Sequence, residues 1–201
     1  TETDPMFNAS VASGITATDT ANWNNKQDQL VAGTNITIVG DTISATGGST
    51  LTIGQAYQGG IIFWLDSTGQ HGLIAAIADQ DTGVQWYNGT FAITNAVRDG
   101  VYSGQYNTER IIANQGAGNY AAQICANYQG GGYGDWYLPS KYELNLLYLQ
   151  RATVGGFTNS VVYWTSNEYD SNHALGQLFG YGYQDPSSKV SMGYVRAIRA
   201  F

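Results

Sequence analysis

The sequence predicts an α+β domain preceded by a short helix and a β-hairpin, and three observations carry that prediction. Two apolar runs, residues 61–65 and 73–78, flank a polar turn and read as one hairpin of buried strands. Residues 120–151 change to helical spacing, and strand-like runs return after residue 160. A change in composition near residue 50 separates a 1–50 segment from a 51–201 domain, because only the second part contains large apolar clusters.

In the first segment, residues 18–30 offer one helix with Trp23, Lys26, Gln27 and Leu30 on a face and Thr18 or Asp19 as its cap. Residues 32–46 alternate about Gly40-Asp41, a hairpin signal with Ile36, Ile38 and Ile43 as its apolar members. An isolated hairpin is marginal in water. The segment is therefore expected to complete its core by association with the same segment of neighbouring chains, the other reading being a flexible tether in a monomer.

In the second part, helices are expected at 108–115 and 120–129. The second places Ala121, Ile124, Cys125 and Tyr128 on one face and stops at Gly130-Gly131-Gly132. Ser140 with Glu143 forms a capping box for a third helix, along which Leu144, Leu147, Tyr148 and Arg151 repeat. Pro139 keeps Leu138 extended, so that Trp136 and Leu138 can cover the helix start. Strands follow near 161–165, 174–179 and 194–200. Trp136, Trp164 and Arg196 are read as structural, since large aromatics beside apolar runs pack and an Arg within a strand ties down loops.

Composition narrows the function. The net charge is −7, and eight Lys and Arg residues form no run, which excludes a partner bound through phosphates; nucleic acid is not expected. No stretch of about eighteen apolar residues is present, so membrane insertion is not expected either. The single Cys125 forbids an internal disulfide and reads as a buried thiol. Three Asn-x-Ser/Thr triplets, at Asn8, Asn35 and Asn88, are of the kind that arise by chance in such a composition.

Catalytic chemistry finds little support. The only histidines, His71 and His173, fall in a turn and a polar loop outside any nucleophile motif. Asp79-Gln80-Asp81-Thr82-Gly83 opens like a calcium loop, yet position twelve is Thr90 where a bidentate Glu is needed, so a turn is expected. Residues 130–134 lack the Lys-Ser/Thr of a phosphate loop and read as a bend. No catalytic residue, metal ligand or cofactor is assigned.

The positive signal is a ribbon over residues 167–191. It offers Asn167, Tyr169, Asp170, Ser171, Asn172, His173, Gln177, Tyr181, Tyr183, Asp185, Ser187 and Ser188 as ligand contacts, interrupted by apolar Leu175, Leu178 and Phe179. Tyrosine gives a rigid contact area with a hydroxyl handle, and Ser, Asn and Gly give adaptable hydrogen bonding, the mixture found in antibody loops. Tyr169, Tyr181 and Tyr183 are the first candidates for contacts costing at least about 2 kcal/mol when truncated. The competing reading is a plain surface covering whose tyrosines pack inward.

The helix carrying Cys125, the Gly-rich bend, Asp135-Trp136-Tyr137-Leu138-Pro139, Glu143-Leu144, Tyr163-Trp164-Thr165-Ser166 and the closing Val195-Arg196, in that order, resemble the DUF1566 family. That family includes the C-terminal domain of the Legionella collagen-like adhesin, and the resemblance covers roughly residues 55–201. It implies a C-type-lectin-like fold of the formylglycine-generating-enzyme type, carried at the end of an elongated trimeric surface protein. Residues 1–50 resemble the linkers that precede receptor-binding tips in phage tail fibres, which implies a homotrimer.

Together these resemblances imply the receptor-binding tip of a phage tail fibre or related adhesin, on a virion or cell surface, recognising a cell-surface glycan or protein receptor without catalysis. Three weak sites on one tip would gain avidity. The single Cys125 departs from the reactive cysteines of sulfatase-activating relatives, and Gln184-Asp185-Pro186 only partly matches the tripeptides of calcium-dependent lectins. Asn, Tyr, Ser, Asp and His are also what adenine randomisation of Asn-type codons yields, which suggests a ribbon diversified by a retroelement. Two further readings remain: an adhesin for polyanionic host glycans, which needs Lys141, Arg110, Arg151 and Lys189 to cluster, and a glycan hydrolase, which needs two carboxylates facing one cleft.

Overall fold

The structure is a computed structural model that describes residues 14–27, 33, 36–40, 42–45 and 50–201. The chain divides into two compact units, Thr1–Thr50 and Leu51–Phe201.

In the first unit, helix α1 (Ala17–Gln27) begins where Thr16 and Asp19 cap each other. Thr16 N donates to Asp19 Oδ2 at 2.8 Å and Asp19 N donates to Thr16 Oγ1 at 3.2 Å. The cap is thus Thr16 in place of Thr18 or Asp19, because its oxygen lies three residues before a carboxylate able to reach back. The expected extension to residue 30 lies outside the described residues. Strands β1 (Ile36–Val39) and β2 (Thr42–Ala45) pair antiparallel with Ile38 opposite Ile43. Within this unit Val39 and Ile43 are exposed, as a hairpin too small to cover its own apolar residues must leave them.

The second unit is mixed α+β. Its strands are β3 (Ala56–Tyr57), β4 (Gly60–Leu65), β5 (Gly72–Ala76), β6 (Asp81–Val84), β7 (Val162–Glu168), β8 (His173–Leu178), β9 (Gln184–Ser188), β10 (Gly193–Val195) and β11 (Ile198–Ala200). Its helices are α2 (Ser103–Gln115), α3 (Ala121–Asn127), α4 (Lys141–Leu149) and α5 (Arg151–Val154). One sheet has the order β11-β5-β4-β3 and the other β6-β10-β7-β8-β9. All pairings are antiparallel except β10 with β7, where Tyr194 lies opposite Tyr163.

The expected C-terminal strand 194–200 is divided in two because Arg196 and Ala197 carry the chain from one sheet to the other. The fully buried Arg196 holds that crossing: Nε donates to Asp79 Oδ1 at 2.6 Å, and the guanidinium also reaches Ala76 O at 3.0 Å and Gly156 O at 2.6 Å. The turn expected at 79–83 is in part strand β6, paired with β10, since an edge strand needs no apolar alternation to be recruited.

Two apolar clusters fill the interior, one around Trp86, Trp136 and Trp164 and one around Phe63, Leu144, Leu147, Tyr163 and Phe179. At about 25 cal/mol per Å² of apolar surface, these large side chains dominate the favourable term. Their polar atoms are satisfied, with Trp86 Nε1 donating to Thr165 O at 2.8 Å and Trp164 Nε1 to Val84 O at 2.9 Å.

Helix α2 starts five residues before the expected 108, because its cap comes from elsewhere in the sequence. Glu143, fully buried, completes the capping box of α4 by accepting from Ser140 N at 2.8 Å. It also accepts from Tyr102 N at 2.7 Å, from Gly104 N at 3.0 Å in the first turn of α2, and from Tyr137 Oη at 3.1 Å. One carboxylate thus caps two helices. Gly104 is required there, since a Cβ would lie 2.5 Å from Glu143 Oε2. Burial raises the Glu143 pKa above its ordinary value even though the Ser140 amide and hydroxyl act against it.

Candidate binding surface

The ribbon of residues 167–191 is built around a buried ion pair. Glu168 ends β7 and Lys189 follows β9, and their side chains meet at 2.6 Å with Lys189 entirely inaccessible. Lys189 Nζ also donates to Ala92 O at 2.9 Å and Ser171 O at 3.0 Å, and lies 4.7 Å from the Trp86 ring. Glu168 in turn accepts from Thr94 N and Asn95 N, each at 2.9 Å. Every donor and acceptor of the pair is therefore used, the condition under which a buried pair is tolerated. The pair ties three backbone segments together: residues 92–96, the β7–β8 turn and the exit from β9.

The β7–β8 turn, residues 169–172, is shaped by Asp170. Its Oδ1 accepts from Asn172 N and His173 N, both at 2.7 Å, and its carboxylate contacts His173 Nδ1 at 2.9 Å. Chiefly through the Asn172 amide, the Asp170 pKa is held below its ordinary value. Tyr169 stands out of this turn, 63% exposed, with Asn172 exposed beside it. The β8–β9 turn, residues 179–183, buries Phe179 and presents Tyr181 and Tyr183, which are 74% and 66% exposed. The aromatic rings at the two turns thus face water, whereas the apolar Phe179 between them faces the core.

The twelve sequence-selected residues do not form one patch. The two turns sit at opposite ends of β8, whose six residues at about 3.3 Å each separate them by on the order of 17 Å. Tyr169, Asp170, Ser171, Asn172 and His173 gather at one end, with Ser188 paired opposite His173 and half-buried Ser187 opposite Ala174. Tyr181 and Tyr183 gather at the other end, and exposed Asp185 lies between on β9.

Two of the twelve are corrected. Asn167 is buried, accepts from Lys141 N at 2.7 Å and donates to Arg98 O at 2.8 Å, so it braces the start of α4. Gln177 is fully buried and donates to Asn145 Oδ1 at 3.0 Å and Gly182 O at 3.2 Å. Both are polar, but each occupies a strand position turned toward backbone groups that need a partner.

Sequence reading missed the neighbours of the first turn. Phe91, Ile93 and Val97 on the irregular stretch 85–102, and Val190 and Met192 after Lys189, are all exposed apolar residues. They flank the segments that Glu168 and Lys189 bind, which places them around the Tyr169 end of the sheet. The available signal was apolar residues recurring in two otherwise polar stretches, 91–97 and 190–192.

Other sites are bounded similarly. Cys125 is buried and burial raises its pKa strongly, which makes the thiol unreactive. His173 has Asp170 as its ring partner, and among the described residues no Ser or Cys hydrogen-bonds to it. Among the described residues no three His, Cys, Asp or Glu side chains converge as metal ligands, and no helix is long and apolar enough to cross a membrane. Of the four cations that polyanion binding would need, Lys189 is inside and does not contribute, while Lys141 pairs with Asp99 at 3.6 Å, Arg151 lies over the Tyr148 ring and Arg110 lies 5.6 Å from the Tyr106 ring. Asn88, the one triplet asparagine among the described residues, donates to Gln115 O and Ala117 O and so has a structural task.

Comparison with known families decides the relationship. The family of the Lcl C-terminal domain matches residues 75–199, well over half of the chain. The chain belongs to the Lcl C-terminal domain family. The matched span starts in β5 and ends in β11, so this Lcl-type region contains the ion pair and both turns. No curated protein matches the chain. Among solved structures, a fimbrial protein from Bacteroides ovatus aligns with a TM-score of 0.47 at 12% identity, covering 78% of this chain and 46% of that one. The chain therefore spans less than half of that protein.

Proposed function

We propose that the chain is the receptor-binding tip of an extended surface adhesin or phage tail fibre, recognising a cell-surface ligand without catalysing a reaction. One observation carries the reading: Tyr169, Tyr181 and Tyr183 are exposed on turns whose backbones are held by buried side chains. Rigid exposed tyrosines offer a large contact area and lose little entropy on binding. Membership of the Lcl C-terminal domain family supports an adhesin role and a surface or extracellular location.

The frame is taken to be C-type-lectin-like. That assignment is supported by the last strand, β11, lying in the sheet of the first strands, and by the long irregular stretch 85–102. Residues 1–50 are taken as a trimerisation segment, supported by a hairpin with exposed Val39 and Ile43 that gains most from packing against copies of itself. The exposed turn residues are the ones retroelement diversification could change without cost to the fold.

Binding of the full chain to bacterial envelope preparations tests the reading. Tyr169→Ala is expected to weaken it by roughly tenfold or more with an unchanged unfolding midpoint. Binding carried by polyanions would instead collapse with added salt. Release of sugars from the envelope, abolished by one Asp or Glu substitution, would replace recognition by hydrolysis.

A further inference from the structure

We propose that the β8–β9 turn, with Asn159 and Ser160 beside it, is a stacking site for one ring of a neutral sugar. The proposal rests on the receptor-binding reading and deepens it for this one turn. The rings of Tyr181 and Tyr183 are nearly parallel, with an interplanar angle of 18° and centroids 6.1 Å apart. Among the described residues neither hydroxyl hydrogen-bonds within the protein, so both stay available to a ligand beside the exposed, mutually stacked rings.

The turn beneath them is fixed. Gly182 N donates to Leu178 O at 2.7 Å, Leu178 N donates to Tyr183 O at 2.9 Å, and Gln177 Nε2 holds Gly182 O at 3.2 Å. Gly182 has φ +82°, and a Cβ there would lie 2.7 Å from the Tyr148 ring, so the turn is seated directly on α4. Tyr148 is itself braced edge-on against buried Phe179 at 5.6 Å. The platform is preorganised, which reduces the entropy lost on binding.

Beside it lies an open depression of about 390 Å³ lined by Asn159, Ser160, Leu178, Gly180 and Tyr181. That is the small end of the range for small-molecule sites. The chemistry selects the ligand. The negative face of an aromatic ring attracts the weakly positive C–H face of a pyranose, and an amide and hydroxyls on the rim can take its hydroxyl groups. No lining side chain is cationic, and Arg151, the cation behind the turn, is engaged over Tyr148 at 4.1 Å, so a sulfate or carboxylate on the sugar gains nothing. A peptide adding as a strand is disfavoured because the edge strand β9 carries Pro186.

Saturation-transfer difference NMR on the full chain tests the site. The probes are the methyl glycosides of glucose, galactose, mannose, N-acetylglucosamine and rhamnose, with a sulfated disaccharide as contrast. At least one neutral glycoside should receive saturation on ring C–H protons, undiminished by salt. Binding should weaken at least roughly tenfold in the Tyr181→Ala/Tyr183→Ala variant and stay within about threefold in Tyr181→Phe, which keeps the ring. The proposal is overturned if no neutral glycoside is saturated, if the double variant binds like the parent, or if only the sulfated disaccharide binds.

Envelope binding separates this site from the wider reading. Loss of envelope binding in Tyr169→Ala with full retention in the double variant overturns the sugar site and leaves the receptor reading in place. Glycoside binding by a chain that ignores every envelope tested supports the site and removes the receptor reading.

Discussion

Asn167, Glu168, Gln177 and Lys189 and the tyrosines at positions 169, 181 and 183 lie in the same stretch of sequence, yet they live in opposite environments. The first four are buried with every polar atom satisfied, and the three tyrosines are each more than 60% exposed. The difference teaches that polarity in a ribbon does not mark its surface. A buried amide or charge here fixes the backbone of a turn, and the exposed ring next to it uses that fixity. Side chains that hold the fold and side chains that face water are therefore interspersed in one segment.

The sharpest way to break this comparison is at the ion pair. Lys189→Met leaves Glu168 buried and uncompensated, and denaturant unfolding should show a loss of about 3–5 kcal/mol. The double variant Lys189→Met/Glu168→Leu should lose less than that single variant, because no lone charge remains. Next in size is Glu143→Ala, which strips four donors of their acceptor and should cost on the order of 3 kcal/mol in the same measurement. By contrast Tyr169→Ala should change stability by no more than about 0.5 kcal/mol.

Two smaller effects sharpen the picture. Cys125 should resist thiol reagents in the native protein and react once denaturant unfolds it, followed by mass spectrometry. Asp170 tests the turn through pH. Its carboxyl is held below the ordinary value, so its contribution is fully present above the ordinary carboxylate range and lost as pH falls through its depressed folded value. NMR titration should show the Asn172 and His173 amides shifting together in that acidic window, and Asp170→Asn should remove the transition.

Much of the frame was legible in the sequence because local signals agreed with the fold. The Ser140–Glu143 box, the Cys125 helix face and the runs in β4 and β5 each announce themselves within a few residues. What stayed hidden depends on distant partners. Helix α2 begins where Glu143 supplies a cap from 39 residues away, and β6 exists because β10 recruits it. Lys189 read as a surface cation, since only the folded chain brings Glu168, Ala92 O and Ser171 O around it. Strand β9 was missed because Gln-Asp-Pro-Ser-Ser has little strand character of its own and is held by pairing with β8.

The candidate surface followed the same logic. Exposure of Tyr169, Tyr181 and Tyr183 could be anticipated from composition, but the division into two ends could not, because linear proximity hides the reversal of direction at each hairpin. The hydrogen-bonding roles of Asn167 and Gln177 carry no sequence mark that separates them from exposed Asn172.

The central claim is met most directly by saturation mutagenesis of residues 163–191 in the full chain, displayed and selected for protease resistance. The account predicts broad tolerance at Tyr169, Asn172, Tyr181, Tyr183 and Asp185, and near-complete intolerance at Asn167, Glu168, Gln177 and Lys189. Equal sensitivity in the two sets, or loss of folding when the tyrosines vary, would contradict it.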